Sequence, residues 1–253
     1  ILQECLQFFL HEPISVTFMS NHFHIIIYQD SLYNAPSNEA IAKRYNDYYA
    51  GRKPSIRPDD DEACKQAAAD MLDISKLLHM FQQRFAQHFN KRRHRKGHLW
   101  AGRFNNNILE GKNALWDCVM YVEMNAVRAG LAEHPREYAH TTLGQFAKNP
   151  EHPWKTFFIK HMRRWLGNSA QDWTPKQIMD RFITRLNDVI AKEKQAKASK
   201  HDSLGKEEKH TATNKPETKE RPLALRFLTH TRAWTEGVFI GSKQFVSRMA
   251  SLF

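Results

Sequence analysis

Two histidines one residue apart, His22 and His24, are the side chains of this sequence best suited to bind a metal ion. They lie in the stretch Ser15–Tyr28, which is rich in aromatic and β-branched residues and predicts a single β-strand. Side chains two residues apart on a strand share a face, so both imidazoles project from one side and Phe23 from the other. The pair predicts half of a divalent-metal site. Taken alone, it favours the alternative of ordinary strand histidines.

A helix is predicted between Asn113, a good N-cap, and Gly130, a good C-terminal stop. Apolar residues recur along it at helical spacing: Leu115, Val119, Val122 and Ala126. A different face carries polar side chains at steps of four, four and three: Asp117, Tyr121, Asn125 and Arg128. Because residues four apart on a helix are neighbours, this face presents a phenol, a carboxamide and a guanidinium together. The alternative is a solvated helix face with a half-buried tyrosine.

A basic segment, residues 91–104, precedes that helix. It contains six lysines and arginines and no acid, interleaved with two aromatic residues. Cationic side chains follow phosphates and aromatic rings stack on exposed bases, so the segment predicts contact with nucleic acid. The candidate DNA-binding residues are Lys91, Arg92, Arg93, Arg95, Lys96, His98, Trp100, Arg103 and Phe104, with Arg128 from the helix. Two alternatives are a solvated charge run and a zinc site at His94 and His98, which lacks a paired cysteine or acidic ligand.

Three blocks of sequence, in this order, resemble the REP-associated tyrosine transposases, a branch of the HUH single-strand transposases with one catalytic tyrosine. The blocks are Met19-Ser20-Asn21-His22-Phe23-His24-Ile25-Ile26, Gly97-His98-Leu99-Trp100-Ala101-Gly102-Arg103-Phe104 and Tyr121-Val122-Glu123-Met124-Asn125-Ala126-Val127-Arg128-Ala129-Gly130-Leu131. Two features depart from the family pattern. Ala126 stands where the family usually has proline, and the β-strand that opens the family's domain is expected to be missing.

The resemblance implies a role for each candidate residue. His22, His24 and Asn125 are the expected ligands of Mg²⁺ or Mn²⁺, with Asn125 in place of the glutamine or glutamate of relatives. Tyr121 is the expected nucleophile, and Arg128 is expected to help lower its pKa. The implied activity is cleavage and rejoining of single-stranded hairpin DNA, similar to a repetitive extragenic palindrome, through a 5′-phosphotyrosine intermediate. The basic segment would hold the DNA backbone.

The implied fold is α/β (α+β), a small antiparallel sheet of ferredoxin-like type with helices on one face and a helical C-terminal extension. The histidine strand is expected at the centre of that sheet, because Ile25, Ile26 and Ile27 are apolar on both faces. Residues 31–64 predict a loop and residues 66–89 one amphipathic helix. The expected domains are a catalytic domain at 1–146, a helical extension at 147–190, a disordered charged linker at 191–222 and a small C-terminal element at 223–253.

Composition is consistent with a nucleic-acid partner. The 253 residues carry a net charge of +11, which predicts an anionic partner, nucleic acid first and a membrane surface second. No apolar run approaches the roughly 20 residues of a membrane span. The three cysteines are scattered, which predicts a reducing, cytoplasmic environment. The family resemblance implies that the protein is associated with the nucleoid when it is bound to DNA. A monomer and a homodimer are both expected possibilities. The competing function is a domesticated or truncated protein that binds hairpin DNA or RNA without cutting it.

Overall fold

The computed structural model describes residues 1–30, 36–102, 104–109, 111–204 and 239–240. These residues form a mixed α/β structure that is mostly helical, which confirms the predicted fold class at this level. The elements, in chain order, are α1 (Leu2–Leu6), β1 (His11–Phe18), β2 (Phe23–Gln29), α2 (Asn38–Tyr49), α3 (Asp61–Leu72), α4 (Ile74–Arg92), β3 (Ile108–Leu109), α5 (Gly111–Arg128), α6 (Thr142–Lys148), α7 (Trp154–Leu166), α8 (Pro175–Leu204) and β4 (Phe239–Ile240).

The strands form two small sheets, an antiparallel pair β1–β2 and a parallel pair β3–β4. The prediction of one strand from residue 15 to 28 is wrong, because a turn at 19–22 separates β1 from β2. Met19 N–H closes this turn by donating to the His22 carbonyl at 2.8 Å. The expected position of the histidine strand at the centre of a larger sheet is not seen in the described residues, where β2 pairs with β1 in a two-stranded sheet. β1 is buried along most of its length, whereas β2 is mainly half-buried.

Three predicted segments differ from the structure, two of them because of helix caps. The sequence predicts a loop at 31–64, but α2 begins after its N-cap Ser37 and α3 after its N-cap Asp60. The expected single helix at 66–89 is two helices, because Asp73 accepts backbone hydrogen bonds from Ser75 and Lys76 and starts α4. α8 runs to Leu204, so residues 191–204 are helical where the sequence predicts disorder. The rest of the expected linker, and the expected C-terminal element apart from β4, lie outside the described residues.

The chain divides into two compact units. The first contains residues 1–12 and the described residues of 27–105, and the second contains residues 13–26 and the described residues from 106 onward. The expected boundary at residue 146 stays a prediction. No helix in the described part of the chain is long and apolar enough to cross a membrane. The three cysteines, Cys5, Cys64 and Cys118, are buried free thiols.

Candidate active site around Tyr121

The site begins at the hairpin of the second unit. His22 is the last residue of the turn and is exposed, with its Nδ1 2.7 Å from the Asn21 Oδ1. His24, inside β2, is half-buried. The two imidazole rings lie 5.1 Å apart between centroids and meet at 77°. The turn therefore keeps the two rings adjacent even though only His24 belongs to a strand.

Helix α5 supplies the phenol and the amide. It begins at Gly111, two residues before the predicted N-cap Asn113, and ends as predicted before Gly130. Gly130 has φ +70°, its N–H donates to the Val127 carbonyl at 3.0 Å, and the next N–H donates to the Ala126 carbonyl at 2.9 Å. This pair of bonds is a Schellman motif, in which a left-handed residue ends the helix. Gly130 thus fixes the end of the helix just after the candidate residues.

The predicted polar face of α5 is not a solvated face. Tyr121 is only 3% exposed, and Asp117, Asn125 and Arg128 are half-buried. The Asn125 Nδ2 donates to the Tyr121 carbonyl at 2.9 Å and approaches the Val122 carbonyl at 3.4 Å. Both contacts use the amide nitrogen, so the amide oxygen is the atom suited to a cation. The alternative interpretation of this face as ordinary solvated surface is wrong.

The hairpin and α5 bring two of the predicted residues into direct contact. The His24 ring lies 5.5 Å from the Tyr121 ring between centroids, at an interplanar angle of 73°. The guanidinium carbon of Arg128 lies 5.6 Å from the centroid of the Tyr121 ring. Tyr121 therefore contacts both an imidazole and a guanidinium. His24 and Tyr121 are separated by about a hundred positions in the chain, so their contact comes from the fold and not from local sequence.

Burial shifts the pKa values of the two aromatic groups in opposite directions. The pKa of His24 falls to about 4, chiefly because burial disfavours the imidazolium and secondly because His22 is close. Neutral imidazole is the form that binds metals. The pKa of Tyr121 is raised, because burial outweighs the opposing effect of Arg128. Arg128 acts in the expected direction, but in the protein alone the phenol is harder to ionise than a free tyrosine.

Arg128 is held by an ion pair from α8. Its Nη2 donates to the Glu193 Oε1 at 2.6 Å and its Nε lies 3.2 Å from the same oxygen. The two side chains are 19% and 27% exposed. The buried Nη1 has no hydrogen-bond partner among the described residues. A DNA phosphate would therefore have to compete with the Glu193 carboxylate for the Arg128 guanidinium.

Sequence reasoning missed one residue of this site, Glu123. Its side chain is fully buried, accepts from the Ser15 Oγ at 2.6 Å and from the Leu143 N–H at 3.2 Å, and so connects α5 with β1 and α6. Burial raises its pKa to about 7, although the hydrogen bonds from Ser15 and Leu143 oppose the shift. The sequence signal that could have indicated this residue is a single carboxylate between the apolar residues Val122 and Met124, in a largely apolar part of the helix.

The basic segment lies in the first unit. Lys91 and Arg92 end α4, and every side chain from Lys91 to His98 is exposed. The loop is closed by the Asn90 Nδ2, which donates to the Gly97 carbonyl at 2.9 Å, and Gly97 has the positive φ of +95° that glycine tolerates. The predicted cationic residues Arg93, Arg95 and Lys96 are thus exposed on one loop. Arg103 lies outside the described residues.

Trp100 is not an exposed stacking platform. Its indole N–H donates to the Gln82 carbonyl at 2.9 Å, and its ring lies 5.5 Å from Phe85 between centroids. It therefore fastens the basic loop to α4. Phe104, the other residue predicted to stack on a base, is half-buried.

The described residues contain no group of three or more histidine, cysteine, aspartate or glutamate side chains that could hold a metal ion. The predicted metal set is of another composition, because it combines two imidazoles with the amide of Asn125. No protein-family model matches this chain, and neither does any curated protein or any solved structure.

Proposed function

We propose that this chain is a metal-dependent, single-tyrosine transposase that cuts and rejoins single-stranded hairpin DNA. The observation that carries the proposal is the edge-on contact of His24 with Tyr121 at 5.5 Å, with His22 a further 5.1 Å away. The motif blocks that resemble the REP-associated tyrosine transposases include these same residues. A ferredoxin-like sheet with helices on one face is part of the proposal, and the β1–β2 hairpin is consistent with it.

The residues fit a Mg²⁺ or Mn²⁺ ion held by His22, His24 and the Asn125 amide oxygen. His24 stays neutral down to about pH 4, so it keeps a lone pair for a cation at physiological pH. Nitrogen and oxygen ligands with open positions suit a cation that also binds phosphate oxygens. A bound cation would supply positive charge next to a scissile phosphate.

The chemical step assigned to this chain is attack by the Tyr121 oxygen on a phosphodiester. A bond forms between that oxygen and phosphorus, and the bond from phosphorus to the 3′-oxygen breaks. The phenol gives up its proton and the leaving 3′-oxygen gains one. The products are a 5′-phosphotyrosine and a free 3′-hydroxyl, so the energy of the broken linkage is retained for rejoining. Arg128 favours the phenolate, because a cation beside the ring lowers the pKa of Tyr121.

A second function, a binding protein that does not cut, is favoured by one specific observation. Tyr121 is 3% exposed and its pKa is raised, whereas a nucleophile must reach phosphorus and ionise. A hairpin-binding protein needs neither property. It would need only the exposed cationic loop at 91–98, which supplies sequence-independent contacts to phosphates.

A covalent-adduct assay separates the two functions. The full chain is incubated with Mn²⁺ and a labelled pool of single-stranded hairpins, and adducts are sought on denaturing gels. The proposed enzyme forms an adduct that disappears in Tyr121→Phe, while hairpin binding is retained. His22→Ala and Asn125→Ala are expected to weaken cleavage more than binding. Binding without any adduct from the wild-type chain would establish the non-cutting function, and an adduct retained by Tyr121→Phe would assign the nucleophile elsewhere.

The remaining parts of the proposal concern partners and place. The DNA would be a hairpin similar to a repetitive extragenic palindrome, and the protein would act in the cytoplasm, at the nucleoid when bound to DNA. It would work as a monomer or a homodimer. Sedimentation with and without a hairpin measures which of these forms binds.

A further inference from the structure

A cleft in the first unit has features of an anion-binding site that the proposed chemistry does not use. It has a volume of about 680 Å³, within the usual range for small-molecule sites, and is lined by residues of α1, α2 and α4. Four cationic side chains and two carboxylates are among its lining residues. The cations are Lys43, Arg44, Arg52 and Arg84, and the acids are Glu4 and Asp47.

The three arginines are held in place by neutral acceptors. The Arg44 Nη1 donates to the Phe9 carbonyl at 2.9 Å, and the Arg52 Nε donates to the Tyr49 carbonyl at 3.0 Å. The Arg84 Nη2 donates to the Tyr48 hydroxyl at 2.6 Å. A guanidinium has five N–H donors, so each of these bonds fixes the group while leaving other donors for a ligand.

Ion pairing distinguishes the arginines of this cleft from its lysine. Within the described part of the chain, none of the three forms an ion pair with a carboxylate. Lys43 differs, because its Nζ lies 2.5 Å from an Asp47 carboxylate oxygen and is neutralised within α2. Cations that are ordered but unpaired favour an anion, and planar guanidiniums match the oxygens of phosphate.

Two of the guanidiniums lie close to the ring of Tyr48. The guanidinium carbons of Arg52 and Arg84 lie 5.6 and 5.8 Å from the centroid of its ring. Arg52 also donates to the backbone carbonyl of Tyr48. The ring itself packs 4.9 Å from Phe8, a buried core residue. The arginines are therefore positioned by a side chain that is anchored in the core.

We infer that this cleft binds the phosphate of a nucleotide, through the guanidiniums of Arg52 and Arg84 in particular. Two sources present the same chemistry, a free nucleotide and the backbone of a single-stranded nucleic acid. Neither source involves the Tyr121 hydroxyl, so we expect Tyr121→Phe to bind the monophosphate and the oligothymidylate as the wild type does.

The test uses calorimetric titration of the full chain with thymidine 5′-monophosphate, with thymidine and with a short oligothymidylate. The variants are Arg52→Gln and Arg84→Gln. The matched control is Arg57→Gln, which removes the same charge in the same unit from an exposed arginine outside the cleft, paired with Asp59 at 3.2 Å.

The wild type is expected to bind the monophosphate about tenfold more tightly than thymidine, and each cleft variant to lose about tenfold, the value of one charge-assisted hydrogen bond. Arg57→Gln should stay within about twofold of the wild type, as for an exposed ion pair. If the natural ligand is a single-stranded nucleic acid, oligothymidylate should bind more tightly than the monophosphate. The slope of its log affinity against log salt concentration should then fall by about 0.7 for each phosphate that a cleft variant no longer neutralises. A free nucleotide would give equal affinity for the two phosphate probes.

Equal binding of thymidine and its monophosphate would overturn the inference. So would cleft variants that bind both phosphate probes as Arg57→Gln does. Arg52 is exposed, so Arg52→Gln should unfold at the wild-type temperature and carry the test even if Arg84→Gln fails to fold. Arg84→Lys provides a further check, because it keeps the charge but loses the planar fork, and we expect it to bind more weakly than the wild type.

Discussion

Glu123→Gln is expected to abolish a pH dependence of stability that the wild-type protein has. The Glu123 carboxyl is fully buried between α5, β1 and α6, and its ordinary pKa of 4.5 is raised to about 7 by that burial. Hydrogen bonds from Ser15 and Leu143 oppose the shift but do not cancel it. A buried carboxyl of this kind holds its proton in the folded state and releases it on unfolding.

The magnitude and the sign follow from these two pKa values. One pKa unit corresponds to about 1.4 kcal/mol, so the rise from 4.5 to about 7 corresponds to about 3 kcal/mol. Because the folded-state pKa of Glu123 is the higher one, its contribution to stability is fully present below pH 4.5. It is lost as the pH rises through about 7.

The assay is urea unfolding of the wild type and of Glu123→Gln at several pH values from about 5 to about 8. Glutamine keeps the shape, can accept from the Leu143 N–H and can donate to the Ser15 Oγ. Titrations elsewhere in the protein are common to both chains and cancel in the difference. From about pH 5 to about pH 8, the free energy of unfolding of Glu123→Gln should rise relative to that of the wild type by about 2.5 kcal/mol, because part of the full effect is already lost below pH 5.

A control and a refuting result complete the test. Glu133→Gln removes a carboxylate that is 79% exposed, so its difference from the wild type should change little with pH. Two results would refute the reasoning. The free energies of unfolding of the wild type and Glu123→Gln could differ by the same amount at every pH, or the wild type could become more stable relative to the variant as the pH rises. A flat difference would mean that the hydrogen bonds of Glu123 cancel the effect of burial on its pKa, and a wild type that gains with rising pH would mean that they outweigh it.

Three further substitutions test other contacts. Arg128→Gln should raise the pKa of Tyr121 further, measured by the absorbance of tyrosinate during alkaline titration, because the guanidinium lowers it; an unchanged titration would contradict this. Trp100→Phe should cost about 1 kcal/mol and speed hydrogen exchange in the basic loop, because the indole N–H no longer bonds to α4. Gly144→Ala should cost about 3 kcal/mol in thermal unfolding, because the new Cβ would overlap the backbone carbonyl of Tyr138; a near-neutral result would contradict the packing there.

The parts of the site that sequence predicted well are those set by local spacing. The four-residue step from Tyr121 to Asn125 gives neighbouring side chains in any helix, and Gly130 supplies the left-handed residue that ends one. His22 and His24 lie next to each other as predicted, although the prediction that both belong to one strand was wrong. The reason is similar. Residues so close in sequence stay close whether the backbone between them is strand or turn.

The failures come from competing local signals and from burial. Ser20 and Asn21 lie inside an apolar stretch, and the surrounding β-propensity outweighs their turn chemistry in the prediction. The sequence predicts a loop at 31–64 because this segment is polar and contains three prolines. The helix α2 within it buries only Ile41 and Ala42, so it shows little apolar periodicity. The burial of Tyr121 was not predictable, because it depends on elements that pack around α5 from distant parts of the chain.

That burial has opposite consequences for the two groups that the proposed chemistry needs most. The same exclusion of water keeps His24 neutral, which suits a metal ligand, and makes the Tyr121 phenol harder to ionise, which hinders a nucleophile. Catalysis at Tyr121 therefore requires positive charge beside the ring to offset the desolvation. In the protein alone that charge is Arg128, and Glu193 partly neutralises it at 2.6 Å. The proposed enzyme should consequently depend on both the divalent cation and Arg128 to form an adduct, whereas hairpin binding by a protein that does not cut should not require the divalent cation.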